Sequence, residues 1–180
     1  DLAFMEFTDL QNKIAQRYFV NVMDVGLGGE VVQKMARSSR KLGSFLTYQK
    51  AILQSLIPYR QWNMDFQLDD LKQTKPTLML AFANAKWFGS GLGIAPRADI
   101  EDGLLEVIHL GKISLWDYLW QLPNVKKTKI LHHPEITYSQ CKESVIRTPG
   151  LPIDCDGEFI GFTPLSCKIV SKRLNVLISY

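Results

Sequence analysis

The alternation of apolar and polar residues predicts that β-strands dominate this chain. Residues 62–68 alternate without interruption and predict a strand with one buried face. That face carries Trp62, Met64, Phe66 and Leu68. Residues 174–178 have a similar period, and residues 104–108 predict a further short strand. Nearly continuous apolar runs at 18–22 and 77–82 predict strands that are covered on both faces.

Helical patterns are fewer. Ser44 is expected to cap a helix whose apolar residues recur every three to four positions until Pro58 ends it. A second helix is predicted at 29–36, and a third begins after Ser114 and stops before Pro123. Many strands with a few helical insertions predict a mainly β fold, a β-sandwich decorated by helices, in a single domain over residues 1–180.

The composition is that of a globular protein, with 46% hydrophobic and 22% charged residues. A net charge of +3 is too small for a nucleic-acid-binding surface, although it is compatible with peripheral contact with an anionic membrane. The three cysteines are odd in number and lack CxxC spacing, which predicts reduced thiols in a cytoplasmic protein. We find neither a signal peptide nor an apolar run of roughly 20 residues that would span a membrane.

A glycine-rich loop at 26–29 follows an apolar run and precedes a predicted helix. Backbone amides in such a loop can bind a phosphate. However, the sequence matches neither GxGxxG nor GxxxxGK[ST], so a tight strand-to-helix turn that needs positive φ is favoured.

An acidic turn at 98–104 leads into a predicted strand, and its Asp-Gly pair is typical of a plain turn. The alternative is a site for a hard cation. One carboxylate together with backbone carbonyls and water would suit Mg²⁺.

A second acidic segment places Asp154, Asp156 and Glu158 within five residues. If the segment is extended, these side chains share one side and repel each other, which would create a general base near neutral pH. The alternative is an exposed hairpin turn around Asp156 and Gly157.

The histidines are weaker candidates for a site. His132 and His133 are adjacent and point apart, so we expect surface residues, and we expect His109 to be a hydrogen-bonded strand residue. The basic runs at 37–41 and 126–129 are typical of solvated faces, with contact to a membrane as the alternative. No Ser-His-Asp or Cys-His nucleophile arrangement can be assembled.

Four segments, in order, resemble those of one family. Residues 19–32 are similar to F-x-N-x-x-x-x-G-x-D-A-x-V, and residues 84–96 are similar to N-x-x-x-x-G-G-G-x-x-I-A-P. Residues 98–107 are similar to A-x-x-x-D-G-x-L-x-V, and residues 154–158 to x-x-D-G-E. The ordered set resembles the diacylglycerol kinase catalytic superfamily, which includes bacterial lipid kinases and sphingosine and ceramide kinases.

This resemblance implies the C-terminal β-sandwich of the NAD kinase/diacylglycerol kinase-like architecture. The nucleotide-binding α/β domain with its Gly-Gly-Asp-Gly motif would be absent from this chain, so the chain alone is expected to be inactive. The intact protein would use ATP and Mg²⁺ to phosphorylate a lipid hydroxyl, as on diacylglycerol or a sphingoid-like lipid. Which lipid it uses, and whether it forms a homodimer, stay open.

The resemblance also implies roles for individual residues. Asp102 would give a side-chain oxygen to a structural Mg²⁺, beside the backbone carbonyls of Asp99 and Leu104. Glu158 would accept the proton from the lipid hydroxyl, and Asp156 is the competing candidate for this role.

The chain departs from the family pattern at two places. Gly28 and Gly29 replace the family's Asp-Ala, and Ser90 interrupts the triple glycine. Loss of that aspartate keeps a second hypothesis open, a non-catalytic β-sandwich module that binds lipid or protein. A kinase for a soluble substrate such as NAD fits the two Asp-Gly turns less well.

Overall fold

The computed structural model describes residues 1–37, 43–58, 61–89 and 91–175. Strands make up most of this part of the chain, as expected. The strands are β1 (Leu2–Asp9), β2 (Ile14–Phe19), β3 (Val22–Gly26), β4 (Trp62–Leu68), β5 (Leu71–Thr77), β6 (Met79–Ala83), β7 (Trp87–Phe88), β8 (Leu92–Gly93), β9 (Leu105–Leu110), β10 (Ile136–Cys141), β11 (Glu143–Ile146), β12 (Pro152–Cys155) and β13 (Glu158–Val170). The helices are α1 (Leu27–Ala36), α2 (Ser44–Leu56) and α3 (Leu115–Lys126).

Eleven of these strands form one antiparallel sheet with the order β10-β9-β6-β3-β12-β13-β11-β4-β5. The long strand β13 also pairs with β1, and β1 pairs with β2. The sheet therefore branches at β13. Strands β7 and β8 form a separate pair. The predicted mainly β fold with helical insertions is confirmed.

Two groups of buried side chains lie on opposite faces of the sheet. The first fills the inside of the curled sheet and takes alternate residues from most strands, with Met5, Phe66, Phe82 and Ile153 among the most buried. The second lies between the sheet and the helices, where Val31 of α1 and Ile52 of α2 are buried. Strands β3 and β6 are buried on both faces, and for β6 this explains the continuous apolar run. The same prediction is wrong for residues 18–22, because Tyr18 is 51% exposed and Val20 is 46% exposed.

Two predicted strands divide where the chain changes partners. The run at 18–22 is interrupted at Val20 and Asn21, between β2 and β3. The run at 77–82 is interrupted at Leu78, because β5 pairs with β4 whereas β6 pairs with β3 and β9. In β4 the alternation holds from Met64 onward, but Trp62 is 45% exposed rather than buried.

The helices start close to the predicted positions. Helix α1 begins two residues earlier than expected, and α2 begins at Ser44 itself, with Gly43 in the cap position assigned to Ser44. Ser114 caps α3 through a capping box with Asp117. The predicted stop before Pro123 is wrong, since Leu122 and Val125 on either side of the proline pack against the helix-side core and keep the helix going.

Some predictions concern residues outside the described ranges. They are most of the basic run at 37–41, the interruption at Ser90 and the end of the predicted strand at 174–178, of which residues 174 and 175 are described and are not in a strand. All three cysteines are free thiols, and all three are buried. Within the described ranges, no helix is long and apolar enough to cross a membrane.

Candidate functional site

The acidic Asp-Gly-Glu segment forms the tight hairpin between β12 and β13. Asp156 and Gly157 are its two loop residues, with φ of 51° and 86°, the conformation of a type I′ turn. The Asp156 carboxylate accepts hydrogen bonds from the backbone N–H groups of Val20, Asn21 and Val22 at 2.9, 2.9 and 3.1 Å. Asp156 therefore fixes the backbone where β2 ends and β3 begins. Residues 20–22 are here called the junction turn.

Asn84 holds the same turn from another strand. Its side-chain Nδ2 donates to the carbonyl of Val20 at 2.8 Å, and its backbone N–H donates to the carbonyl of Asn21 at 2.8 Å. Nδ2 also donates to the carbonyl of Asp1 at 3.2 Å. Its Oδ1 is buried and has no hydrogen-bond partner among the described residues. Three of the four similar segments thus meet at the junction turn.

The fourth segment, the acidic turn, reaches this place through Asp1. The Asp1 carboxylate accepts from the backbone N–H of Gly103 at 2.8 Å and from that of Lys172 at 2.8 Å. The backbone nitrogen of Asp1 donates to the carbonyl of Ile100 at 2.7 Å. The segments that carry the resemblance are distant in sequence and adjacent in space.

Within the acidic turn, each aspartate stabilises its own backbone. Asp99 Oδ1 accepts from the N–H of Glu101 at 3.0 Å, and Asp102 Oδ1 accepts from the N–H of Leu104 at 2.9 Å. Among the described residues nothing donates to Asp102 Oδ2, and no three His, Cys, Asp or Glu side chains come together as metal ligands. A cation here would have one carboxylate, backbone carbonyls and water, and this oxygen-only set fits Mg²⁺.

Glu158 lies at the start of β13, with its side chain 66% exposed. Its Oε2 is 2.7 Å from Nη2 of Arg17 on β2. The hydrogen bond to Glu158 raises the pKa of Arg17 above its ordinary value. Sequence reasoning missed Arg17, since nothing in the sequence of β2 indicates a partner 141 residues away.

The three carboxylates of this segment do not share one side, as an extended segment would require. The hairpin reverses the chain at Asp156, so Glu158 stays in solvent while Asp154 is buried with 4% exposure. Asp154 Oδ1 accepts from the N–H of Gly157 at 2.8 Å and so supports the turn.

Asp154 instead faces a second buried carboxyl group. Asp24 on β3 lies directly opposite it in the sheet and is 1% exposed. Burial raises the pKa of Asp154 to about 7, and the neighbouring Asp156 and Glu158 add to this. Burial, and then the charge of Asp154, raise the pKa of Asp24 well above its ordinary value. The raised carboxyl pKa values that crowding predicts therefore belong to Asp24 and Asp154.

Asp24 occupies the space of the side chain that Gly28 lacks. A Cβ atom on Gly28 would lie 2.1 Å from each oxygen of the Asp24 carboxyl group. The N–H groups of Gly28 and Gly29 face this carboxyl group and favour its charged form, although neither makes a hydrogen bond of normal geometry. The carboxyl group that the resemblance expects on residue 28 is thus present at the start of α1, supplied by the preceding strand.

A narrow cavity of about 100 Å³ lies between the sheet and all three helices. Its wall is mainly aliphatic and aromatic, and Gly28, which adjoins Asp24, is part of it. Tyr48 of α2 is also part of the wall. Burial raises the pKa of its hydroxyl well above the ordinary value, and the charges of Asp24 and Asp154 add to this effect.

The histidines differ from one another. His109 is a strand residue whose Nε2 is 3.0 Å from Thr77 Oγ1, as expected. His132 is exposed, but His133 is only 21% exposed and lines the cavity, so the surface assignment is wrong for this residue. His133 Nδ1 accepts from the N–H of Glu135, and Nε2 lies 3.6 Å from Asp117 Oδ1.

The chain also matches a known protein family. Residues 21–178 match the family described as the YegS C-terminal NAD kinase beta sandwich-like domain. This chain belongs to that family. The YegS-type assignment includes three of the four segments in full and the first segment from residue 21 onward.

Individual proteins related to this YegS-type domain bear kinase names. A diacylglycerol kinase of Mycobacterium tuberculosis (strain ATCC 25618 / H37Rv) is 28% identical over 163 residues, which are 90% of this chain and 52% of that protein. A protein of Staphylococcus aureus (strain JH9), named provisionally as a lipid kinase, is 23% identical in an alignment of 174 positions that covers 92% of this chain and 55% of that protein. The chain spans about half the length of these relatives.

Solved structures show the same fold. A protein of Bacillus anthracis str. Sterne, described provisionally as a diacylglycerol kinase, superposes with a TM-score of 0.63 at 14% sequence identity. The match covers 95% of this chain and 54% of that one. At this identity the likeness concerns the fold of the YegS-type domain alone.

Asp154→Asn should change how the stability of the protein depends on pH. Because the folded pKa of Asp154 is near 7 and the unfolded value is near 4, the folded state holds the extra proton between these limits. Stability should therefore fall as pH rises through this window, and the variant should lose about 2–3 kcal/mol less than the wild type between pH 5 and 8. Thermal unfolding at several pH values measures this. Asp70→Asn, at an exposed position, is the control, and equal pH dependence in all three proteins would contradict the assignment.

Substitutions at residues 24 and 28 test whether side chains at these two positions compete for the same space. Gly28→Asp alone should cost about 3 kcal/mol, because a second carboxyl group would clash with that of Asp24. Adding Asp24→Gly should restore most of the lost stability. Denaturant unfolding of both variants and of Asp24→Gly alone measures this coupling, and purely additive effects would show that the two positions are independent.

Proposed function

We propose that this domain is the lipid-binding part of an ATP-dependent kinase that phosphorylates a lipid hydroxyl. The observation that carries the proposal is the apolar cavity beside the buried carboxyl pair, in a domain whose relatives are named as diacylglycerol or lipid kinases. The nucleotide would be bound mainly by a separate α/β domain of the full-length protein, and this chain alone would be inactive.

The cavity suits part of an acyl chain. At about 100 Å³ it is somewhat smaller than a ~150 Å³ cavity that binds benzene, so it holds only a few methylene groups in this state. A longer chain requires a helix to move outward. Helices α2 and α3 are joined above the cavity by a hydrogen bond from the Tyr118 hydroxyl to Gln49 Oε1 and by Lys126 over the ring of Phe45. Breaking these few polar contacts requires less free energy than separating strands of the sheet, so a helix can move while the sheet stays intact.

Glu158 is the better candidate for the proton acceptor. Its carboxylate is exposed at the hairpin tip, with one ion pair, whereas that of Asp156 already accepts three backbone hydrogen bonds that fix the junction turn. A substrate hydroxyl could approach Glu158 if Arg17 moved aside. In this proposal Arg17 orients the Glu158 carboxylate through their ion pair, and Asp156 has a structural role.

ATP, when bound, supplies the phosphoryl group and Mg²⁺ neutralises part of its charge. We also propose that the acidic turn holds a structural Mg²⁺ through Asp102 and the carbonyl groups of Asp99 and Leu104. The free Oδ2 of Asp102 and the exposed position of the turn support this assignment.

Glu158→Gln in the full-length protein should lower kcat for lipid phosphorylation about 100-fold or more, because the hydroxyl loses its proton acceptor. The measurement is transfer of labelled phosphate to dispersed diacylglycerol or sphingoid base. Glu143→Gln, an exposed glutamate on β11, is the matched control. If Glu158→Gln keeps wild-type kcat, the base assignment fails. If the wild type binds lipid without turnover, the protein is the non-catalytic lipid-binding module.

Magnesium should stabilise the protein through the acidic turn. Millimolar Mg²⁺ is expected to raise the unfolding midpoint by about 3 °C, since a ligand that binds only the folded state stabilises it. Asp102→Ala should abolish this shift, and Asp70→Ala should keep it. An identical shift in all three proteins would place the cation elsewhere.

A further inference from the structure

Helix α3 has an outer face that is unusually apolar for a solvent-exposed surface. Trp116 and Trp120 are 78% and 82% exposed, and residues four apart lie on the same side of a helix. Leu119, which is 42% exposed, and Pro123 continue this face. The opposite face of α3 packs on the helix-side core through Leu115, Tyr118, Leu122 and Val125. Two tryptophans side by side in water indicate a surface that is covered in use.

The charges around this face are mainly positive. Trp120 borders a shallow depression together with Lys129, Ile130 and His132, and Lys127 follows the end of the helix. Two carboxylates also lie nearby, fewer than the four lysines at positions 112, 126, 127 and 129. Asp117 is bound by the capping hydroxyl of Ser114, and Glu135 accepts from the N–H of Lys112.

This combination fits a membrane surface better than a protein partner. Tryptophan prefers the boundary between the headgroups and the hydrocarbon of a bilayer, and lysines beside it are attracted to anionic lipids. We propose that the outer face of α3 (Trp116, Leu119, Trp120 and Pro123, with Lys127 and Lys129 at its end) inserts into the interface of an anionic bilayer.

Helix α3 lies between this exposed face and the apolar cavity. The same helix contributes Tyr118, Gln121 and Val125 to the wall of the apolar cavity. One layer of helix therefore separates the inserted face from the cavity, and a lipid that leaves the bilayer beside α3 has a short path into it. This second step rests on the proposed function, whereas insertion of α3 does not.

The test is binding of the full-length protein to vesicles of phosphatidylcholine alone and to vesicles with about a third phosphatidylglycerol, an anionic content that lysines respond to. The wild type should sediment with the anionic vesicles. Replacing Trp116 and Trp120 with serine should lower the partition coefficient about tenfold or more. The matched control replaces Trp62 and Leu71, exposed apolar residues on β4 and β5, and should bind as the wild type does.

A second pair of variants tests the contribution of the lysines to vesicle binding. Lys127→Glu with Lys129→Glu should weaken binding to the anionic vesicles about fivefold per lysine and leave binding to neutral vesicles unchanged. Lys72→Glu with Lys75→Glu on β5 is the control. Unfolding midpoints within experimental error of the wild type establish that each variant is folded.

Two results would overturn the inference. One is equal vesicle binding by the wild type and the Trp116/Trp120 variant. The other is protection of both tryptophans from acrylamide quenching without vesicles, which would mean that the rest of the chain, a second copy or a protein partner covers α3. Failure of the proposed kinase function is separate: vesicle binding would persist without phosphorylation. Conversely, normal phosphorylation of a monomeric short-chain lipid without vesicle binding would contradict the insertion of α3 and leave the proposed kinase function in place.

Discussion

The architecture depends on β13, which pairs with three other strands at once. Its first residues pair with β12 and its later ones with β11, while β1 occupies the opposite edge. At Gly161 both edges are in use, since this residue is paired with Asp9 and with Ile153. A Cβ atom there would lie 2.2 Å from the carbonyl oxygen of Thr8. The two branches of the sheet can approach this closely only because residue 161 has no side chain.

This crowded crossing sets the position of the hairpin that precedes it. The hairpin separates three carboxyl groups that are almost consecutive in sequence into three environments. Asp154 is buried against Asp24, Asp156 accepts backbone hydrogen bonds, and Glu158 is in solvent beside Arg17. The three carboxyl groups therefore differ in their surroundings more than in their chemical type.

Much of this fold could be predicted from local pattern. The alternation in β4, the capping serine of α3 and the strand-to-helix turn at Gly26 each depend on residues close in sequence. The meeting of the four segments in space was not predicted, since their order in the sequence indicates a family but no contacts. The pairs Asp24–Asp154 and Arg17–Glu158 could not be predicted, because strand pairing across more than a hundred residues creates them. The one sequence feature that indicated a buried carboxyl group was the lone aspartate within the apolar residues of β3.

The close approach of Asp24 to residue 28 also restricts which substitutions the protein can accept during evolution. Two carboxyl groups cannot share the space without a loss of stability, so a substitution that adds an acid at residue 28 is disfavoured while Asp24 is present. Residues 24 and 28 should therefore be inherited as a coupled pair, and a homologue that keeps glycine at 28 should be read for an acid four residues earlier before its site is judged to be lost.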